Sequence, residues 1–85
     1  MQQFDYTISD PMGLHARPAG QLVRRAAAFK SRVTIRRGDR EADCTRLLRV
    51  MSLCAAAGET VTFTVDGEDE QAACEAMRAF CAESL

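Results

Sequence analysis

Residues 59 to 65 read Glu-Thr-Val-Thr-Phe-Thr-Val, so Val61, Phe63 and Val65 alternate strictly with Thr60, Thr62 and Thr64. A period of two puts the apolar side chains on one face of a strand and the hydroxyls on the other. The same period appears at Phe4, Tyr6 and Ile8, which alternate with Asp5 and Thr7, and at Val33 and Ile35 within Lys30 to Arg36. After the turn signal Arg37-Gly38-Asp39, the segment Glu41 to Cys44 returns as the second arm of a hairpin. Strands that are apolar on one side only build a sheet that needs cover on one face. With 85 residues there is room for one core and one layer of helices. The expectation is a single domain over residues 1-85, an α+β two-layer open-faced sandwich.

Three helical segments supply the cover. The first runs from about Ala16 to Phe29, with Ala19, Leu22, Val23, Ala26 and Phe29 on one side and Arg24 and Arg25 on the other. The last follows the break at Asp66-Gly67. Its buried face is Ala73, Cys74, Met77, Phe80 and Cys81, and Glu68, Asp69 and Glu70 are expected on its first turn, where carboxylates suit the helix dipole. Between them, Arg46 to Leu53 forms a short helix with two apolar stripes. Val50, Leu53 and Cys54 share one side, and Leu47, Leu48 and Met51 share another. A single sheet can cover only one of these. The second stripe is therefore expected to be at least partly exposed and to serve as a protein contact, the alternative being that a small domain buries both.

Composition narrows the function classes. A net charge of −1, with 47% apolar and 27% charged residues, gives no global pull toward nucleic acid or an anionic membrane. The opening Met1-Gln2-Gln3-Phe4-Asp5 has neither the charged nor the apolar part of a leader, and no apolar run reaches spanning length. A cytoplasmic protein without direct membrane insertion is expected. Cys44, Cys54, Cys74 and Cys81 contain no C-x-x-C spacing, so reduced thiols are expected and no metal site is called for.

The chemistry concentrates in Asp10-Pro11-Met12-Gly13-Leu14-His15-Ala16-Arg17-Pro18-Ala19-Gly20, which holds the only histidine. Proline fits the first turn of a helix because its φ is already near the helical value and its missing N–H would be unpaired there anyway. The first helix therefore begins close to His15. Its leading N–H groups lack intrahelical acceptors and carry the positive end of the dipole, which favours an anion. Arg17 adds a forked donor suited to phosphate. A neutral imidazole is nucleophilic near pH 7, so His15 at such a helix end is placed to carry a phosphoryl group. The competing reading is a histidine that merely caps the helix or sits in the turn.

Gly13-Leu14-His15-Ala16-Arg17-Pro18-Ala19 resembles the active-site signature of the histidine-containing phosphocarrier protein (HPr) family of the bacterial phosphoenolpyruvate:sugar phosphotransferase system. Val50-Met51-Ser52-Leu53 and Gly67-Glu68-Asp69-Glu70-Gln71 extend the similarity across essentially the whole chain. The resemblance implies that His15 accepts a phosphoryl group, on Nδ1, from phospho-enzyme I and passes it to IIA components of sugar permeases. It implies that Arg17 and the Ala16 and Arg17 N–H groups steady the phosphate, and that the first helix and the short helix form a docking surface. Arg24, Arg46, Leu47, Leu48, Arg49 and Met51 are the candidates for that surface, whereas Arg25 taken alone reads as a solvated position. It also implies a sheet in the order one, four, two, three, a monomer, and a carrier that needs no cofactor or metal and is not itself an enzyme.

One position departs from the family pattern. Where many relatives carry a regulatory serine ahead of the short helix, this chain has Arg46, and neither Thr45 nor Ser52 matches that place. Serine-linked regulation is thereby in doubt, and Arg46 and Arg49 become candidates for binding an acidic partner. The rival functions are a regulatory HPr-like binding module or nitrogen-branch phosphocarrier that controls a target protein, a self-contained hydrolase, and a plain structural domain. The hydrolase lacks any nucleophile with a paired base in the sequence around His15.

Overall fold

The computed structural model describes residues 1–85. The order is β1 (Gln2–Thr7), α1 (Ala16–Ala27), β2 (Arg32–Arg37), β3 (Arg40–Asp43), α2 (Leu47–Ser52), β4 (Thr60–Asp66) and α3 (Glu70–Ser84). The strands form one antiparallel sheet in the order β1-β4-β2-β3. This is the order that the family resemblance implies, and the alternation of each strand decides which face turns inward. Phe4 pairs with Phe63, Val33 with Val65, and Ile35 with both Phe63 and Ala42, so the apolar residues of all four strands fall on one side. The Phe4 and Phe63 rings stack with centroids 5.0 Å apart, and the Arg78 guanidinium lies 4.8 Å from the centre of the Phe4 ring.

Helices cover that side and leave the other to solvent. Ala19, Leu22 and Ala26 of α1, Val50 of α2, and Ala73, Cys74, Met77, Phe80 and Cys81 of α3 join the strand residues in one hydrophobic cluster. The inner face of α3 is the one that the periodicity predicts. α1 packs against both other helices. No helix is long and apolar enough to cross a membrane.

Strand ends and the ends of α2 shift by one or two residues from the sequence expectation, and the end of α1 and the start of α3 differ for reasons that can be named. α1 ends at Ala27 rather than Phe29, because the Ala28 and Phe29 N–H groups close tighter turns onto the Arg25 and Ala26 carbonyls. Phe29 still packs half-buried against the core, so its hydrophobic period outlasts the helix. Next, Cys54 does not share the inner stripe of α2. It is exposed with φ +53, the left-handed residue that ends the helix. Finally, Glu68 and Asp69 lie ahead of α3, and Glu70 alone occupies its first turn. The Asp69 carboxylate turns away to accept the Lys30 N–H at 2.9 Å, the Ser31 N–H at 2.8 Å and the Ser31 hydroxyl. Ser31 is buried just past α1, where its backbone donor needs a partner.

Arg37, just ahead of the hairpin turn at Gly38-Asp39, ties the turn to the segment behind α2. Arg37 Nε donates to Glu59 Oε2 at 2.9 Å and Arg37 Nη1 to the Leu53 carbonyl at 2.9 Å. Glu59 in turn accepts the Ala56 N–H at 2.7 Å. These bonds pin the segment leaving α2 against the β2–β3 hairpin.

Candidate functional site

α1 starts at Ala16, with His15 extended at the capping position, φ −88° and ψ −177°. The His15 carbonyl accepts the Ala19 N–H at 3.0 Å. Its side chain bonds to no helix N–H, which removes the reading of His15 as a side-chain cap. The Ala16 and Arg17 N–H groups have no intrahelical acceptor, and no turn or loop carbonyl takes them. Two free donors and the positive helix end therefore lie next to the imidazole.

The approach to the helix is a tight turn built on Asp10. The Gly13 N–H donates to the Asp10 carbonyl at 2.8 Å, and the Met12 N–H donates to Asp10 Oδ1 at 2.9 Å. Gly13 has φ +68°, and a Cβ there would lie 2.5 Å from the Ala55 carbonyl oxygen. Only glycine lets the two segments come this close. The Leu14 side chain is buried in the core and its N–H donates to Ala55, so the chain is anchored immediately before the histidine, whose own side chain is 29% exposed.

The imidazole sits at the edge of an open cavity of ≈ 430 Å³ lined by Asp10, Met12, His15, Arg17, Pro18, Gln21, Glu83 and Ser84. His15 and Arg17 come together there as the sequence predicts. Asp10, Gln21, Glu83 and Ser84 complete the lining and were not singled out by sequence. Gln21 could have been found, since it lies one turn beyond Arg17 on α1. Glu83 and Ser84 arrive from α3 by tertiary packing and carry no local signal. The Asp10 carboxylate places Oδ2 at 3.6 Å from His15 Nε2, an ion-pair distance rather than a hydrogen bond.

The basic residues divide into two groups. Arg25 lies 4.0 Å from Glu83 and 5.5 Å from the centre of the Phe80 ring, which gives it a structural partner. Arg17, Arg24, Arg46 and Arg49 are exposed and take part in no ion pair within the chain. On α2 the two stripes separate as expected. Val50 and Leu53 are buried, whereas Leu47 and Leu48 are 40% and 80% exposed. Met51 is intermediate, packed against the edge of the core. Arg46 stands at the α2 capping position without a side-chain bond to the helix, while the Thr45 hydroxyl and N–H donate to Asp43 Oδ1.

Residues 2–83 match the family model described as PTS HPr component phosphorylation site. The chain belongs to the HPr family. It is 40% identical over 83 residues to the phosphocarrier protein HPr of Lysinibacillus sphaericus, covering 98% of this chain and 94% of that protein. Among solved structures, the histidine-containing phosphocarrier protein of a Mycoplasma superimposes with a TM-score of 0.95 at 30% identity, covering 98% of this chain and 94% of that one. The Bacillus subtilis catabolite repression protein Crh, a swapped, intertwined dimer in its crystal, superimposes with a TM-score of 0.78 at 33% identity, covering 100% and 98% of the two chains. The open-faced sandwich is therefore the HPr fold, shared with phosphocarrier proteins and with Crh.

Proposed function

We propose that this HPr-family chain accepts a phosphoryl group on His15 from phospho-enzyme I and passes it to IIA components of sugar permeases. The observation that carries this reading is the state of His15. Its side chain caps nothing, it faces an open polar cavity, and it is flanked by Arg17 and two N–H groups without acceptors. Phosphoryl transfer depends chiefly on in-line placement and on stabilising charge spread over the transferred oxygens. A small carrier that supplies a nucleophile, an arginine and a helix end meets that need, and its partners supply the rest. In this reading the carrier is substrate and then donor for other enzymes, and it holds no cofactor of its own.

The docking surface in this reading is α1 together with α2, which pack side by side. Leu47 and Leu48 provide exposed apolar area, and Arg24, Arg46 and Arg49 provide cations with no partner inside the chain. That combination suits an acidic surface with an apolar centre.

The test is incubation with phosphoenolpyruvate, Mg²⁺ and enzyme I, followed by intact-mass detection of an acid-labile phosphate adduct. The adduct is expected in the wild type and absent in His15→Ala. Leu48→Ser, at a position that contributes little to the core, is expected to raise the KM for phospho-enzyme I by roughly tenfold with little change in melting temperature. A second reading, a regulatory binding module, is favoured by the likeness to Crh. It predicts no adduct with an enzyme I that phosphorylates another carrier.

A further inference from the structure

Asp10 is held at each of its polar groups. Its N–H donates to the Leu85 carbonyl at 2.8 Å, its carbonyl accepts the Gly13 N–H at 2.8 Å, and Oδ1 accepts the Met12 N–H at 2.9 Å. The remaining oxygen, Oδ2, is the one that lies 3.6 Å from His15 Nε2. A turn that needed an Asx bond alone would use one oxygen and leave the other free to face solvent. Here the backbone bonds fix the carboxylate so that the second oxygen meets the imidazole.

We infer that Asp10 is a positioning residue that selects Nδ1 of His15 as the reacting nitrogen, an inference that rests on His15 being the phosphoryl acceptor. Neutral imidazole carries a single proton on one of its two nitrogens. A carboxylate can only accept, so beside Nε2 it favours the form with the proton on Nε2 and the lone pair on Nδ1. The same negative charge disfavours a phosphoryl group at Nε2 by repulsion. Both effects act in one direction. Arg17 and Glu83 are the other charged groups lining the cavity; Arg17 is the attractive one, and Glu83 is already paired with Arg25.

The transfer step balances without moving a proton. The Nδ1 lone pair forms the new P–N bond while the donor's P–N bond breaks and returns its electron pair to the donor. The proton stays on Nε2, so the phosphorylated ring is cationic and faces the Asp10 carboxylate. When the group moves on, the P–N pair returns to Nδ1 and the ring leaves as neutral imidazole in its original tautomer.

The experiment uses protein labelled with ¹⁵N-histidine, observed through long-range ring ¹H–¹⁵N correlations at about pH 8, where an ordinary imidazole is neutral. Wild type is expected in the Nε2–H form. Asp10→Asn keeps an oxygen for the Met12 N–H and sets an amide donor against Nε2, so the tautomer is expected to reverse to Nδ1–H. The kcat for accepting phosphate from phospho-enzyme I should then fall roughly tenfold or more, with KM little changed, as expected when a ring is held in the wrong tautomer. An Asp10→Asn protein that retains the Nε2–H form, or that keeps the wild-type kcat, overturns the inference. The spectra come from unphosphorylated protein. A wild type that accepts no phosphate would sink the carrier reading, and with it the role assigned here to Asp10. A wild type that is phosphorylated with either tautomer result would leave the carrier reading standing and judge Asp10 alone.

Discussion

The Leu14 N–H donates to the Ala55 carbonyl at 2.9 Å, so the residue ahead of the histidine hangs from the segment that leaves α2. That segment is itself fixed by the Glu59 bond to the Ala56 N–H and by the Arg37 bonds to Glu59 and the Leu53 carbonyl. A run of hydrogen bonds thus leads from the β2–β3 hairpin to the head of α1. The position of His15 is set by this tertiary arrangement as well as by its own helix.

Gly13 is the tightest point of that arrangement, and substitution there should be costly. With φ +68° and a would-be Cβ 2.5 Å from Ala55 O and 2.9 Å from Ala56 Cα, both backbone atoms, Gly13→Ala can be relieved only by moving one segment. A loss on the order of 2 kcal/mol or more is expected in urea unfolding. Gly20 offers an internal control. It lies within α1 and has no atom within 4 Å of an added Cβ, so Gly20→Ala should gain up to about 1 kcal/mol from helix propensity. Equal urea midpoints for the two variants would show that the close approach does not hold in solution.

Much of this arrangement is written locally. The threonine alternation of β4, the apolar period of α3 and the proline after His15 each act through neighbours in the chain, and each is found where its period or turn chemistry places it. The division of α2 into Val50 inside and Leu48 outside is also legible, because a six-residue helix has only one side to give a sheet. What escapes is whatever two distant segments decide together. Asp69 reads as a first-turn carboxylate, yet the unpaired N–H groups of Lys30 and Ser31 claim it. The nearness of the Asp10 carboxylate to His15 likewise depends on how Gly13 folds the chain back.

Cys54 illustrates the same point and makes a second prediction. Its helical spacing groups it with Val50, but α2 ends at Ser52 and Cys54 adopts φ +53° just past the capping residue Leu53. This is the conformation glycine takes without steric cost, whereas a residue with a Cβ gives up roughly 1–2 kcal/mol. Cys54→Gly should therefore raise stability by about 1 kcal/mol in urea unfolding. The thiols should divide accordingly. Cys44, Cys74 and Cys81 are buried, and burial pushes the Cys44 and Cys81 thiols up, that of Cys81 to about 12. Cys54 is exposed, so wild type should react rapidly with one equivalent of a thiol reagent and the Gly variant with none until it unfolds. Rapid reaction of a second thiol in the native protein would contradict the burial of Cys74 and Cys81 in α3 and of Cys44 just past β3.

Stability should also fall in acid, for a reason that can be assigned to named carboxylates. The Ser31 hydroxyl and the Lys30 N–H hold the Asp69 carboxyl below its usual range, the Ala56 N–H and Arg37 do the same for Glu59, and the Thr45 hydroxyl and N–H for Asp43. A carboxyl with a lower pKa in the folded state binds protons more readily when unfolded. The stability it contributes is therefore complete above the unfolded value, about 4, and is lost as pH drops through the folded value. The urea midpoint should change little from these groups between about pH 7 and pH 5 and decline below about pH 4. Asp69→Asn separates the contribution of one group. An amide presents a single acceptor oxygen, so it cannot serve both the Lys30 N–H and the Ser31 pair that use the two Asp69 oxygens. The variant should be less stable than wild type at neutral pH, and the difference should narrow as the pH is lowered, because wild type loses what the variant already lacks. A difference that stays constant from neutral pH down to pH 3 would mean that Asp69 acts through shape rather than through its charge-assisted bonds.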